Sequence, residues 1–143
     1  MSEWIHLKLR QILRFLAQRT IIKYQPGVIG VTGSVGKTST KEAIYTVLRN
    51  FRRTRSNSRS FNGEIGLPLT ILGDWPDDDL KLVSREYPSG KNRFKKMIFW
   101  LKVAVASLWK IYFYRDRRYP EILLLEYGAD RPGDLDYLIA IAR

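Results

Sequence analysis

The chain has 143 residues, 45% of them apolar, enough for one ordinary domain with a core of its own. It has no cysteine and a single histidine, His6, which excludes disulfide frameworks, thiolate metal sites, cysteine nucleophiles and a histidine metal cluster, and fits a reducing compartment. Twenty-five basic against fourteen acidic side chains leave a formal charge of +11, which favours anionic partners: nucleotides, nucleic acid, acidic precursors or an anionic membrane face.

Trp4, Ile5, Leu9, Ile12, Leu13 and Leu16 recur at helical spacing among Lys8, Arg10, Arg14 and Arg19, which predicts an amphipathic helix over 3–22. Pro26 and Gly27 end it. The same basic residues interrupt the apolar ones, unlike a cleaved signal, and nowhere is there a run of about 18 uncharged apolar residues. Val28 to Thr32 predicts a first buried strand, and Lys37 to Asn50 a helix.

Between them, Gly33-Ser34-Val35-Gly36-Lys37-Thr38 reads as a phosphate-binding loop. Glycines let backbone N–H groups turn inward around a polyphosphate, and the positive end of the following helix faces the same anion. Lys37 would reach the outer phosphates and the Thr38 hydroxyl would ligate Mg²⁺. The longer G-x-x-x-x-G-K-[ST] spacing requires a glycine at position 31, where Val31 stands; Gly30 comes one residue early.

Arg52 to Ser56 predicts a short second strand, Ser56 to Gly63 a loop, and Glu64 to Leu72 a short helix with Pro68 near its first turn. Gly73 to Asp79 has turn composition; Asp77, Asp78 and Asp79 read as a solvated loop, since adjacent side chains rarely converge on a metal. Lys91 to Tyr114 is apolar almost all round, leaving a narrow stripe of Lys91, Lys95, Lys102 and Lys110. Such a helix needs a hydrophobic cover. Two covers stand open: a membrane interface, in keeping with its tryptophans and the basic flanks Lys95, Lys96, Arg115, Arg117 and Arg118, or packing on the N-terminal helix or another protein.

Glu121 to Tyr127 is too apolar for a one-sided strand and predicts a central parallel strand covered on both faces, ended by Gly128. Arg131-Pro132-Gly133-Asp134 opens a last helix with Leu135, Leu138, Ile139 and Ala142 on one side. It reaches Arg143 without a capping residue, which gives the expectation of a longer protein. An acidic residue near the carboxyl end of a buried strand, in the sheet of a phosphate loop, is where a nucleotide-bound Mg²⁺ needs an oxygen ligand. Glu126 holds that place; the alternative is a structural carboxylate serving nearby backbone N–H groups. Asp130 and Asp134 are weaker candidates, since either also suits a helix cap.

Three segments, Gly33 to Glu42, Ser60 to Thr70 and Glu126 to Asp134, resemble three ordered signatures of the Mur ligases, and within them the members that join D-alanyl-D-alanine to a UDP-muramoyl peptide. That family's loop has the shorter Gly-x-x-Gly-Lys-Thr form, so Val31 ceases to be an anomaly. The resemblance covers about 26–72 and 121–143. It implies an α/β fold, a mostly parallel sheet of phosphate-loop type flanked by helices, forming the first part of the family's central ATP-binding domain over 26–143. An amphipathic helix over 1–25 and an inserted segment at about 74–119, with its apolar helix, are additions.

By the same likeness, Gly33, Ser34, Val35, Gly36, Lys37, Thr38 and Ser39 bind ATP, Thr38 and Glu126 hold Mg²⁺, and Lys37 and Asn62 serve catalysis, Asn62 from a loop facing nucleotide and acyl acceptor. The implied reaction transfers the ATP γ-phosphoryl group to a peptide carboxylate, and an incoming amine then attacks the acyl phosphate. Amide, ADP and phosphate result. The implied protein is a cytoplasmic monomer when full length, with no specific nucleic acid; peripheral membrane contact through 91–114 is an expectation from the composition of that added segment, not from the likeness. Two departures bear on the substrate contacts: an asparagine-rich loop is reduced to Asn62, flanked by Ser60 and Gly63, and Tyr127 stands where methionine is usual. Residues 1–26 leave no room for the domain that binds the UDP sugar, and the isolated chain is expected to be inactive in ligation. Competing readings are a ligase that adds glutamate to folate or builds a storage peptide, a nucleic-acid-binding ATPase using Arg49, Arg52, Arg53, Arg55 and Arg59, and a membrane-attached module without catalysis.

Overall fold

The computed structural model describes residues 3–58, 61–84, 92–129 and 132–142. Strands β1 (Gly27–Val31), β2 (Thr54–Ser56) and β3 (Ile122–Glu126) form one parallel sheet in the order β1-β3-β2. Gly27 to Val31 pair in register with Ile122 to Glu126, and Thr54 to Ser56 with Ile122 to Leu124. Among the described residues β3 is therefore the central strand, and Leu123, Leu124 and Leu125 are fully buried. That position explains its continuous apolar run.

Among the described residues six helices surround the sheet: α1 (Glu3–Tyr24), α2 (Lys37–Leu48), α3 (Gly66–Leu72), α4 (Asp77–Val83), α5 (Arg93–Tyr112) and α6 (Asp134–Ile141). Alternation along β3 sends Leu123, Leu125 and Tyr127 to one face, where they meet Ala17 and Ile21 of α1, Leu67 and Ile71 of α3, and Leu138 and Ile141 of α6. Leu124 and Glu126 point to the opposite face, against which α2 packs. A second cluster joins Leu13 and Leu16 of α1, Leu69 and Leu72 of α3, Phe61, and Phe99 and Val103 of α5. Because α1 contributes to both clusters, it is part of the core that carries the sheet.

One face of α5 thus packs on α1, as one of its two expected covers required. Lys23 of α1 fixes its far end, donating to the carbonyls of Lys110 (2.7 Å), Ile111 (3.0 Å) and Tyr114 (3.1 Å). A cation there satisfies the orphan carbonyls at the negative end of the helix. No helix among the described residues is long and apolar enough to cross a membrane.

Three expectations are corrected. Val28 to Thr32 is not a buried strand: β1 spans Gly27–Val31 at a sheet edge with no strand partner on its outer side among the described residues, and only Val31 is buried. The aspartates 77–79 form no loop but the first turn of α4, following Pro76 in extended conformation, where their charge complements the positive helix end; Asp79 also pairs with Lys102 of α5 at 3.0 Å. In α6, Ile139 faces outward while Leu138, Ile141 and Ala142 are buried, since only those positions turn toward the core.

Gly66 opens α3 directly against the backbone of Phe61, where a Cβ would overlap main-chain atoms that cannot move aside cheaply. Gly66→Ala should therefore lower stability by about 1–3 kcal/mol, read as a shift of the urea unfolding midpoint.

Candidate functional site

The turn from β1 into α2 depends on two glycines with positive φ, Gly33 at 144° and Gly36 at 77°. Side chains strain there. Gly36 is the N-cap of α2 and offers no side-chain oxygen; the first intrahelical bond runs from the Thr40 N–H to the Gly36 carbonyl at 2.9 Å. The N–H groups before it lack intrahelical acceptors, and they sit at the positive end of a 12-residue helix. Thr32 to Gly36 are exposed. Lys37 folds across the turn and donates from Nζ to the Gly33 carbonyl at 2.5 Å.

Parallel register brings the loop to Glu126. Val31, the last residue of β1, pairs with Glu126, the last of β3, so strand end and carboxylate share the carboxyl end of the sheet. The Thr38 hydroxyl lies 3.2 Å from both Oε1 and Oε2 of Glu126. Glu126 is almost wholly buried, and so is Lys41, whose Nζ stands 3.2 Å from Oε2. Lys41 also donates to the Asn57 carbonyl at 2.5 Å. Asn57 in turn clamps the main chain of Glu126: its Oδ1 accepts the Glu126 N–H at 2.7 Å and its Nδ2 donates to the Glu126 carbonyl at 2.9 Å.

Asn62 comes from the loop before α3 and places Nδ2 3.4 Å from Oε1 of Glu126, while its carbonyl accepts the Gly128 N–H at 2.8 Å. A Cβ on Gly128 would lie 2.6 Å from the Asn62 amide, so only glycine leaves that side chain its place. The structure thus brings Thr38, Asn62 and Glu126 together beside the loop of Gly33, Ser34, Val35, Gly36 and Lys37. Ser39 is exposed in the first turn of α2. Asp134 is in the first turn of α6; Asp130, Ser60 and Arg59 lie outside the described residues.

Two residues that hold Glu126 escaped the sequence reading. Lys41 stands one turn beyond Lys37, at the spacing that shares a helix face, and that was the available signal. Asn57 gave none, because the partner it clamps is 69 residues away. Gly30, one residue early for the longer phosphate loop, has a different use: a Cβ there would overlap the ring of Tyr127.

Four of the arginines of the nucleic-acid reading have internal partners. Arg55 donates to the Thr70 carbonyl at 3.1 Å and lies over Tyr119, and burial lowers its pKa. Arg52 and Arg53 pair with Glu121, and Arg49 covers Tyr45.

Hard oxygen donors from a hydroxyl and a carboxylate, beside backbone N–H groups suited to phosphate, fit Mg²⁺, which takes one or two protein ligands and completes its shell with water and phosphate oxygens. Among the described residues no group of three His, Cys, Asp or Glu side chains gathers to hold an ion without such help. Lys41→Met should cost about 3–5 kcal/mol in urea unfolding, because it strands a buried carboxylate, and adding Glu126→Gln should recover much of the loss.

No family model matches the chain. Among curated proteins it is similar to the UDP-N-acetylmuramoyl-tripeptide--D-alanyl-D-alanine ligase of Synechocystis, 40% identical over 83 residues, covering 50% of this chain and 18% of that protein. The Bacillus subtilis protein of the same name is 47% identical over 60 residues, covering 42% of this chain and 13% of its own length. That of Mycobacterium leprae is 47% identical over 115 residues, covering 80% and 14%. Among solved structures, a crystal structure of MurF from Acinetobacter baumannii shares the fold, with a TM-score of 0.55 and 20% identity over 95% of this chain and 20% of that one. The chain therefore resembles the MurF-type Mur ligases in sequence and in fold, and spans less than a fifth of the length of these curated relatives.

Proposed function

We propose that this chain forms the phosphate and metal side of an ATP-dependent ligase that joins D-alanyl-D-alanine to a UDP-muramoyl peptide in peptidoglycan precursor synthesis. The observation that carries this reading is the Thr38 hydroxyl 3.2 Å from both oxygens of Glu126 at the mouth of the Gly33–Gly36 loop. Residues 26–143 are taken as part of the family's central ATP-binding domain, with 1–25 added and 74–119 inserted. The full-length enzyme is taken as a cytoplasmic monomer with peripheral membrane contact through 91–114.

Phosphoryl transfer to a carboxylate needs alignment and charge neutralisation more than covalent help from the protein. The backbone N–H groups of 33–38 and the positive end of α2 hold the phosphates. Lys37, whose Nζ now meets the Gly33 carbonyl, would extend to the outer phosphates and oppose their charge. Thr38 and Glu126 hold the Mg²⁺, which when bound offsets phosphate charge as a Lewis acid. Lys41 and Asn57 keep the Glu126 carboxylate in place, so that its reorganisation is already complete before substrate arrives. Asn62, set by Gly128, serves the side of the nucleotide that faces the acyl acceptor.

Titration calorimetry of ATP into the chain, with and without Mg²⁺, tests the assignment. Lys37→Ala should weaken binding by about tenfold or more, the loss of a charge-assisted contact to phosphate. Thr38→Ala should remove most of the Mg²⁺ dependence. In the complete ligase Lys37→Ala should slow acyl phosphate formation by about 10²–10³. Nucleotide affinity indifferent to both substitutions would overturn the site.

A further inference from the structure

Helix α5 has two apolar faces and the core uses one. Phe99, Val103 and Ser107, four residues apart, are buried, Phe99 and Val103 in one cluster with residues of α1 and α3. On the opposite side Phe94, Leu101, Val105, Leu108 and Tyr112 form a second stripe, with Leu101 64% and Val105 58% exposed. It runs about 27 Å at the helical rise per residue. An exposed apolar stripe of that length marks a contact surface.

The residues around the stripe select its occupant. Between 93 and 118 there are eight basic side chains and one acidic one, Asp116. Arg93 and Lys95 are exposed at one end, and Arg115, Arg117 and Arg118 at the other. Trp109 and Tyr114 are exposed beside that second basic group, with the apolar body and polar tip suited to a water–lipid boundary. A second copy of this face would bring like charges together. The helix does not qualify to cross a bilayer, and its inner face is already taken.

We propose that α5 lies flat on an anionic lipid bilayer, with the Phe94–Tyr112 stripe at the boundary between headgroups and acyl chains and the 115–118 loop among the headgroups. This gives a face and a lipid class to the peripheral contact proposed above, and on that contact it rests. Since α5 packs away from β3 on the far side of α1 and α3, the loop at 33–36 remains open to solvent when the face is occupied.

Flotation of the chain with phosphatidylcholine vesicles, with and without phosphatidylglycerol, is the test. Partition into the anionic vesicles is expected, falling by about tenfold or more in Leu101→Glu/Val105→Glu, whose exposed positions leave the thermal melt unchanged. Replacing Arg115, Arg117 and Arg118 by alanine should cut anionic partition about fivefold per charge and leave neutral vesicles unaffected. ATP binding, measured on the same variants, should not move, so the two proposals fail separately. Equal partition of wild type and Leu101→Glu/Val105→Glu, or no partition at all, would overturn the inference. So would a concentration-dependent dimer that the same double variant abolishes while vesicles fail to bind, since the stripe would then be a contact between copies.

Discussion

Glu126 is withdrawn from water at the end of the central strand, and everything at the candidate site is arranged around that withdrawal. Its carboxylate oxygens are met by Lys41, Thr38 and Asn62, and its main-chain N–H and carbonyl by Asn57. A buried carboxylate left unpaired would cost several kcal/mol, so the geometry is tolerable only because two segments distant in sequence, α2 and the stretch before α3, deliver partners to it. Net stabilisation by such a pair is small. What the pair gives is position: a carboxylate held still beside the glycine turn at the positive end of α2, with a lysine 3.2 Å away.

The scaffold that permits this is lopsided. Apolar side chains from α1, α3 and α6 cover one face of the sheet and leave the other to α2, whose most buried residue is Lys41. Rigidity is thus supplied from behind β3, and the chemistry faces the polar side. Small glycines mark where segments touch closely: Gly66 on Phe61, Gly128 on Asn62, Gly30 under Tyr127. Each permits a contact between parts of the chain that sequence order keeps apart.

Outside the core, α5 shows how a helix rich in apolar residues all round divides its surface. Its packed face closes the second cluster with Phe99 and Val103, and Lys23 caps its end from α1. The remaining stripe is framed by basic residues.

The glycine turn at 33–36, the helix behind it and the apolar central strand were legible in the sequence, because each rests on local rules: glycine at positive φ, helix periodicity, and apolar runs where a strand is covered twice. Thr38 and Glu126 could be paired by the logic of a parallel sheet. Burial of Lys41 and the clamp by Asn57 were not legible, since a lysine within a helix and an asparagine in a loop look solvated until a strand from 69 residues away arrives. Nor was the edge position of β1, which depends on which strands are present to cover it, or the helical turn of Asp77–Asp79, which depends on the contact of α4 with α5. Local chemistry is written in neighbouring residues, whereas burial and partnership are properties of where distant segments meet, and only the tertiary structure fixes those.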